Sequence, residues 1–271
     1  MTTPLHHVDA FTDTPFGGNP AAVCLLDSPA PETWMQQVAA EVNLSETAFV
    51  WPLGSDRWGL RWWTPAVEVP LCGHATLAAA HVLIEDGGAG AGELLSFVTA
   101  SGELRARSRH SGIELDFPAY ERRSLTAEEE VAVRAVAGTD VAEVAGYGPK
   151  VLARLADREA VETGRPDLDA LRRLPHEGLL ITADSGGSAP GYVLRYFAPA
   201  VGIPEDPVTG SAQCAAGPYW RDRTGVAELA AEQVSARRGQ LRVTVGDDGR
   251  VAIGGRPVTV IRGALAIDPP G

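Results

Sequence analysis

Lysine is almost missing from this chain. Lys150 is the only one, although arginine is plentiful and lysine plus arginine total 23. That absence removes whole chemistries. No G-x-x-x-x-G-K-[ST] phosphate loop is present, and a Schiff base to pyridoxal phosphate would have to use Lys150. No G-x-G-x-x-G follows a strand and opens a helix, so a dinucleotide site is not expected. Cysteine is also scarce. Cys24, Cys72 and Cys214 are an odd number at wide spacing, which argues against a disulfide framework and against a metal-type or redox pair. Basic charge is outweighed by 35 acidic residues, and the net charge of -12 leaves no basic patch for nucleic acid. No apolar run approaches the length of a membrane-spanning helix. Met1 to Asp9 is polar and runs straight into a strand pattern, so no signal peptide is expected and the expected location is the cytoplasm.

What remains is an ordinary globular composition, 45% hydrophobic and 21% charged, over a length that suits one large domain or two medium ones. One stretch stands out: Glu205-Asp206-Pro207-Val208-Thr209-Gly210-Ser211-Ala212-Gln213-Cys214-Ala215-Ala216-Gly217. It reads as an acidic loop that turns through Gly210 into the first turn of a small-residue helix. Free backbone N–H groups and the positive end of a helix dipole make such a start a seat for an anion. The design recurs at Pro70-Leu71-Cys72-Gly73-His74-Ala75-Thr76.

The recurrence belongs to a longer internal repeat. Leu60-Arg61-Trp62-Trp63-Thr64-Pro65-Ala66-Val67 matches Leu194-Arg195-Tyr196-Phe197-Ala198-Pro199-Ala200-Val201 at an offset of 194 − 60 = 134. Three extra residues later, Cys72-Gly73-His74-Ala75 falls on Thr209-Gly210-Ser211-Ala212, at 211 − 74 = 137. Both offsets are close to half the chain, so two similar domains are expected, 1–117 and 118–271, with the last strand able to cross back to the first. The repeat read as architecture alone would leave both loops without work. Ligands of duplicated domains favour the cleft between them, and two helix starts aimed there suit a carboxylate.

Periodicity places strands at His6–Phe11, Ala21–Leu26, Leu60–Thr64, Leu94–Thr99, Gly102–Arg107 and Ile113–Phe117, and helices at Pro31–Val42 and from Gly73 to about Ile84. Pro118–Ser124 reads as a linker. The second half has helices at Ala127–Ala137, Leu168–Leu174 and near Gln213–Tyr219. Its strands are Val151–Ala156, Leu179–Ala183, Tyr192–Ala198, Val234–Ser235, Leu241–Val245, Arg250–Ile253 and Val258–Ile261.

Glu46 is the candidate proton-transfer group. It stands at a strand entrance ahead of Ala48-Phe49-Val50, where partial desolvation would raise its pKa toward the range of a general base. A solvent-exposed loop glutamate is the alternative. Laying Ala48-Phe49-Val50 on Leu180-Ile181-Thr182 sets Gly178 opposite Glu46, so the repeat has a carboxylate on one side only. His74 opens the first alanine-rich helix beside Gly73, matched by Ser211 beside Gly210. His74 and His81 share a helical face, but two histidines without a third ligand make no zinc site, and no metal is expected. Asp206 orients or shares a proton with a substrate group, or caps its turn. Ser211 bonds substrate or serves as an N-cap. Cys72, just ahead of a helix start, is expected to have a lowered thiol pKa. A two-base racemase would need a second cysteine at Thr209. Cys24 and Cys214 read as packing residues.

Asp9-Ala10-Phe11, Gly18-Asn19-Pro20-Ala21-Ala22-Val23, Asn43-Leu44-Ser45-Glu46-Thr47, Leu71-Cys72-Gly73-His74-Ala75-Thr76 and Glu205-Asp206-Pro207-Val208-Thr209-Gly210-Ser211-Ala212 together resemble the phenazine-biosynthesis PhzF-like isomerase family, from about His7 to near the C-terminus. The resemblance implies the diaminopimelate epimerase-like fold: two pseudo-symmetric α/β (α+β) domains, each a curved sheet or barrel around a central helix. It implies cofactor-independent isomerisation of a small carboxylate-bearing substrate between the domains, with Glu46 as proton shuttle and His74, Asp206 and Ser211 as supporting catalytic groups. Asn19, Cys72, Gly73, Thr209 and Gly210 are then the substrate-binding positions, and a homodimer is the family-level expectation. Cys72 falls where diaminopimelate epimerases place one catalytic cysteine and Thr209 where they place the other. The rival readings are an amino-acid or hydroxyproline-type epimerase using Cys72, and a non-catalytic protein that binds a metabolite or a partner.

Overall fold

The computed structural model describes residues 2–270 except Ser55, Ala91, Thr139 and Ser188. Its first half runs β1 (Thr3–Ala10), β2 (Asn19–Leu25), α1 (Glu32–Val42), β3 (Glu46–Pro52), β4 (Arg57–Trp63), β5 (Glu68–Val69), α2 (Gly73–Glu85), β6 (Leu94–Thr99), β7 (Gly102–Arg109) and β8 (Gly112–Pro118). The second half runs β9 (Arg122–Arg123), α3 (Ala127–Ala137), β10 (Glu143–Tyr147), β11 (Lys150–Arg154), α4 (Arg158–Thr163), α5 (Leu168–Leu171), β12 (Gly178–Asp184) and β13 (Gly191–Ala198). A 3-10 turn at Pro199–Val201 follows. The chain then continues through β14 (Ile203–Asp206), α6 (Gly210–Thr224), β15 (Glu228–Gln233), β16 (Gly239–Val245), β17 (Arg250–Gly255) and β18 (Pro257–Leu265). Two compact units result. Met1–Asp116 with Gly254–Gly271 forms the first, and Phe117–Ile253 the second.

The repeat seen in sequence is a repeat of strand pairing. In the first unit β1 and β2 are antiparallel, β2 and β3 parallel, β3 and β4 antiparallel, and β4 carries both antiparallel β5 and parallel β6. In the second unit β10 and β11, β11 and β12, β12 and β13, and β13 with β14 and β15 follow the same scheme. Trp62 stands opposite Val69, and its repeat mate Tyr196 stands opposite Asp206. The register of Glu46 and Gly178 agrees too. Each is the first residue of a seven-residue strand whose next residue faces the aromatic end of a hairpin, Thr47 on Trp63 and Leu179 on Phe197.

Each unit packs one apolar helix against its own strands. In α2 every residue from His74 to Ala80 is buried, as are Val82 and Leu83; a helix apolar on all sides has no solvent face to offer. Helix α6 is buried from Ala212 to Gly217. Pro218 sits inside it and has no N–H to donate to the carbonyl of Cys214, and that carbonyl instead accepts from the Tyr120 N–H at 2.9 Å. Outer helices cover the other sheet faces. Helix α1 lays Trp34, Met35 and Val38 on Cys24, Phe49 and Trp63. In the second unit Val133, Val136 and Leu171 pack with Val151, Leu179, Ile181 and Phe197.

Several expectations need correction. Val234–Ser235 is not a strand; the strand is β15, six residues earlier in its start, held parallel to β13 and antiparallel to β16. Its sequence, Glu-Leu-Ala-Ala-Glu-Gln, has low strand propensity, and pairing on both sides overrides it. The expected linker contains β9, paired with β10. Strand β10 and helix α4 lie in segments where no element was expected, and the second-half helices differ in extent. Helix α5 stops at Leu171 and α6 runs from Gly210 to Thr224. No helix among the described residues is long and apolar enough to cross a membrane.

Candidate active site

Glu46 enters the site because α1 ends where it does. Asn43 takes the left-handed conformation at φ 54° and its N–H donates to the Ala39 carbonyl at 3.0 Å, closing the helix. After Leu44 and Ser45 the chain starts β3 at Glu46, which lies beside Ala21 of parallel β2. Asn19 begins β2 and is fully buried. The turn ahead of it depends on Gly18, with φ of +60°. A Cβ there would stand 2.1 Å from the Ala10 carbonyl oxygen, so no larger residue fits.

Helix α2 delivers the other groups. Cys72 is its extended N-cap residue, Gly73 its first residue and His74 the next. His74 Nε2 lies 3.0 Å from Glu46 Oε2. On the other side of the ring, Nδ1 lies 3.2 Å from the Asn19 side-chain amide and 3.5 Å from Cys72 Sγ. Asn19, Glu46, Cys72 and His74 are therefore one buried cluster, and the exposed-loop alternative for Glu46 fails.

The charge states follow from this packing and reverse two expectations. Burial opposes ionisation of Glu46, but the His74 charge and hydrogen bonds from His74 and Cys72 outweigh it and hold the carboxyl below its ordinary value. Burial likewise opposes the His74 imidazolium, yet Cys72 and Glu46 beside it raise its pKa well above the usual histidine value. The Cys72 thiol is pushed up, first by burial and then by the Glu46 charge, so the lowered pKa expected near a helix start does not occur. The Glu46 carboxylate therefore faces His74 Nε2 beside a thiol that burial keeps protonated. His81, on the same helix, is engaged elsewhere, 3.0 Å from Thr259 Oγ1 and 3.3 Å from Glu85 Oε2. Cys24 and Cys214 are buried, and burial pushes each thiol up to about 12.

In the second unit the loop from Asp206 to Gly210 is built just as firmly. Thr209 is the extended N-cap residue of α6, as Cys72 is of α2, and neither side chain bonds its helix start. The Thr209 hydroxyl donates to Asp206 Oδ2 at 2.6 Å. Gly210 and Ser211 open the helix, so Ser211 is not its N-cap residue. Two glutamines that the sequence did not single out fix this loop. Fully buried Gln233 accepts from the Thr209 N–H at 2.9 Å and donates to the Asp206 carbonyl at 2.6 Å. Gln213 donates to the Thr209 carbonyl at 3.0 Å and accepts from the Tyr192 hydroxyl at 2.7 Å. Gln213 lies within the motif itself; Gln233 ends the misread strand, so no local signal pointed to it.

Gly178, the repeat mate of Glu46, has no room for a side chain. A Cβ there would lie 2.5 Å from the Tyr196 hydroxyl and 2.6 Å from the Phe197 carbonyl oxygen. That hydroxyl accepts from Lys150 at 2.8 Å and donates to Glu177 at 3.0 Å. The chemistry of the two units is thus unlike even though their pairing schemes match.

A fold of two like-wired mixed α/β units is shared with known proteins. A family profile described as "Phenazine biosynthesis-like protein" matches residues 8–263. An uncharacterized isomerase of Pseudomonas aeruginosa is 46% identical, covering 98% of this chain and 100% of that one. The crystal structure of a phenazine biosynthesis protein of the PhzF family from Enterococcus faecalis superposes with a TM-score of 0.89 at 40% identity, covering 98% of this chain and 100% of that one. A probable proline racemase of Agrobacterium radiobacter, at 13% identity and a TM-score of 0.65 over 99% and 94% of the two chains, shares the fold alone. The chain belongs to the phenazine biosynthesis-like (PhzF) family and has its epimerase-like fold.

Proposed function

We propose that this protein is a cofactor-independent isomerase that moves a proton between two positions of a small carboxylate-bearing metabolite. The observation that carries the reading is the buried contact of 3.0 Å between Glu46 and His74. A carboxylate held ionised inside the protein, with few competing waters, can take a proton from an acidified C–H and return it. His74 stabilises the Glu46 carboxylate before the transfer and stands ready to donate to the oxygen on which negative charge develops. The N–H groups at the start of α2, at Gly73, with Asn19 beside them, bind negative charge on the substrate. Asp206 and Ser211 position the reacting polar groups. The balance is simple: one C–H bond breaks, Glu46 carries the proton, and a new C–H bond forms on the same molecule.

A screen of small amino, hydroxy and unsaturated acids for enzyme-dependent C–H exchange in deuterated water tests this reading. Exchange with at least one acid is expected, and Glu46→Gln should lower its rate by about 10²–10⁴-fold with folding intact. Near-normal exchange in that variant would sink the assignment. Exchange abolished by Cys72→Ser but retained in Glu46→Gln would move the protein to the cysteine-dependent epimerases.

A further inference from the structure

Two bulky residues of the first unit hold a left-handed backbone, Phe11 at φ 63° and Phe16 at φ 70°. Few residues other than glycine, asparagine and aspartate adopt it, and a bulky side chain does so at a cost. Phe11 has an evident reason: it is fully buried, with its ring laid against Gly255. Phe16 has no such reason, because it is 78% exposed. Hydrogen bonds, not packing, keep its backbone in place. The Phe16 N–H donates to Oδ2 of buried Asp9 at 2.7 Å. The Thr12 N–H donates to the Arg256 carbonyl at 2.7 Å, and the Gly17 N–H to the Thr14 carbonyl at 3.2 Å. The loop is thus built to present an aromatic ring to solvent. Backbone held in a sparsely populated region clusters at ligand sites, where the surrounding structure over-determines it.

Position gives the ring a use. Residues 11–18 join Ala10 to Asn19, which pair across β1 and β2. Glu46 lies beside Ala21 at the start of parallel β3, and His74 meets both Glu46 and Asn19. The loop therefore leaves the sheet at the end where the polar cluster is assembled. Phe16 is three residues from Asn19, so their Cα atoms are at most about 11 Å apart. A second apolar side chain, Leu71, is 36% exposed and directly precedes Cys72. Asn19, Glu46 and His74 offer polar contacts to an acid; Phe16 and Leu71 offer apolar surface next to them.

We propose that Phe16 is a specificity-determining residue whose ring covers the apolar body of the substrate. The protein then selects carboxylic acids that carry several carbons without polar groups over short acids that are polar at both ends. Water leaves the ring only when such an acid is bound, so the burial favours binding of that class alone. The selection rests on the isomerase reading above; the contact between Phe16 and an acid does not.

Phe16→Gly removes the ring while suiting the left-handed backbone, so this variant should fold as the wild type does. Among the acids that exchange C–H protons, those with an apolar body should show KM raised about 10–100-fold in Phe16→Gly with kcat little changed. Phe16→Leu should restore most of that loss, and acids polar at both ends should be unaffected. Equal loss for both kinds of acid, loss in kcat alone, or exchange confined to short polar acids overturns the specificity role. A readout free of turnover uses 4-fluorophenylalanine incorporated into the full chain. The 19F resonance that disappears in Phe16→Leu belongs to Phe16. Hexanoate should shift it, and adipate, of equal length with a second carboxylate, should shift it less. A resonance that hexanoate does not move, that both acids move equally, or that moves with protein concentration because two copies meet there overturns the contact. A shift by hexanoate in a protein that exchanges no acid keeps the contact and defeats the isomerase reading. Exchange indifferent to Phe16→Gly keeps that reading and defeats the proposal.

Discussion

Glu46 and His74 come from the starts of two different elements, β3 and α2, and Glu46 Oε2 lies 3.0 Å from His74 Nε2 inside the protein. Each stabilises the ionised form of the other, and this makes the site sensitive to pH in two directions. The Glu46 pKa is depressed on folding, so its contribution is fully present above the unfolded carboxyl value near about 4.3 and is lost as pH falls through the folded value. The His74 pKa is raised on folding, so its contribution is fully present below about 6.5 and is lost as pH rises through the raised folded value. Thermal unfolding of the wild type, Glu46→Gln, His74→Gln and the double variant across pH should give a coupling that is largest between these limits. Loss of either partner should cost about 3–5 kcal/mol near neutrality, and a coupling independent of pH would contradict the ion pair.

Cys72 is expected to behave as a neutral thiol. Burial and the neighbouring Glu46 charge both raise its pKa. Alkylation by iodoacetamide at neutral pH should therefore be slow, and faster in Glu46→Gln, where one of the two causes is gone. Rapid alkylation of Cys72 in the wild type at neutral pH would show an activated thiolate and favour cysteine chemistry.

Gln233 should matter more than its position in the chain suggests. It is fully buried and holds both the Asp206 carbonyl and the Thr209 N–H. Gln233→Leu leaves these groups without their partner at about 1–3 kcal/mol each. Chemical denaturation should register that loss, and C–H exchange should fall as the 206–210 loop loosens. Unchanged stability and exchange would mean the loop is fixed by other contacts.

Gly178→Ala tests why one unit alone carries the carboxylate. Its Cβ would meet the Tyr196 hydroxyl at 2.5 Å. Overpacking of this kind costs about 1–3 kcal/mol, so the variant should melt earlier without gaining activity. A fully stable variant would show that Tyr196 moves aside easily.

The lone lysine gives an asymmetric prediction. Lys150 is buried, while the side chain of its partner Glu177 is 38% exposed. Glu177→Ala strands a buried ammonium and should cost about 3–5 kcal/mol. Lys150→Met leaves a carboxylate that can turn to water, and should cost no more than about 0.5–3 kcal/mol. The reverse order in urea unfolding would refute this account of the pair.

The sequence by itself determined the duplication, the two glycine-led helix starts and the lone carboxylate. Each is written in local pattern or in spacing. The offsets of 134 and 137 place Trp62 on Tyr196 and Cys72 on Thr209 before any coordinate is known. The Gly178 mate of Glu46 also emerged from strand alignment, because hairpin register follows from residue count. Only the tertiary structure decided what the site groups are chemically. Read alone, Glu46 beside apolar residues has a raised pKa and Cys72 at a helix start a lowered one. Both signs reverse once α2 carries His74 to β3 and seals the thiol inside, because a charge a few ångströms away in a poorly solvated interior outweighs the local sequence context. Strand β15 and Gln233 were lost to the sequence for a related reason. A strand of Glu, Ala and Gln exists only because β13 and β16 are there to pair with it, and those neighbours are distant in the chain.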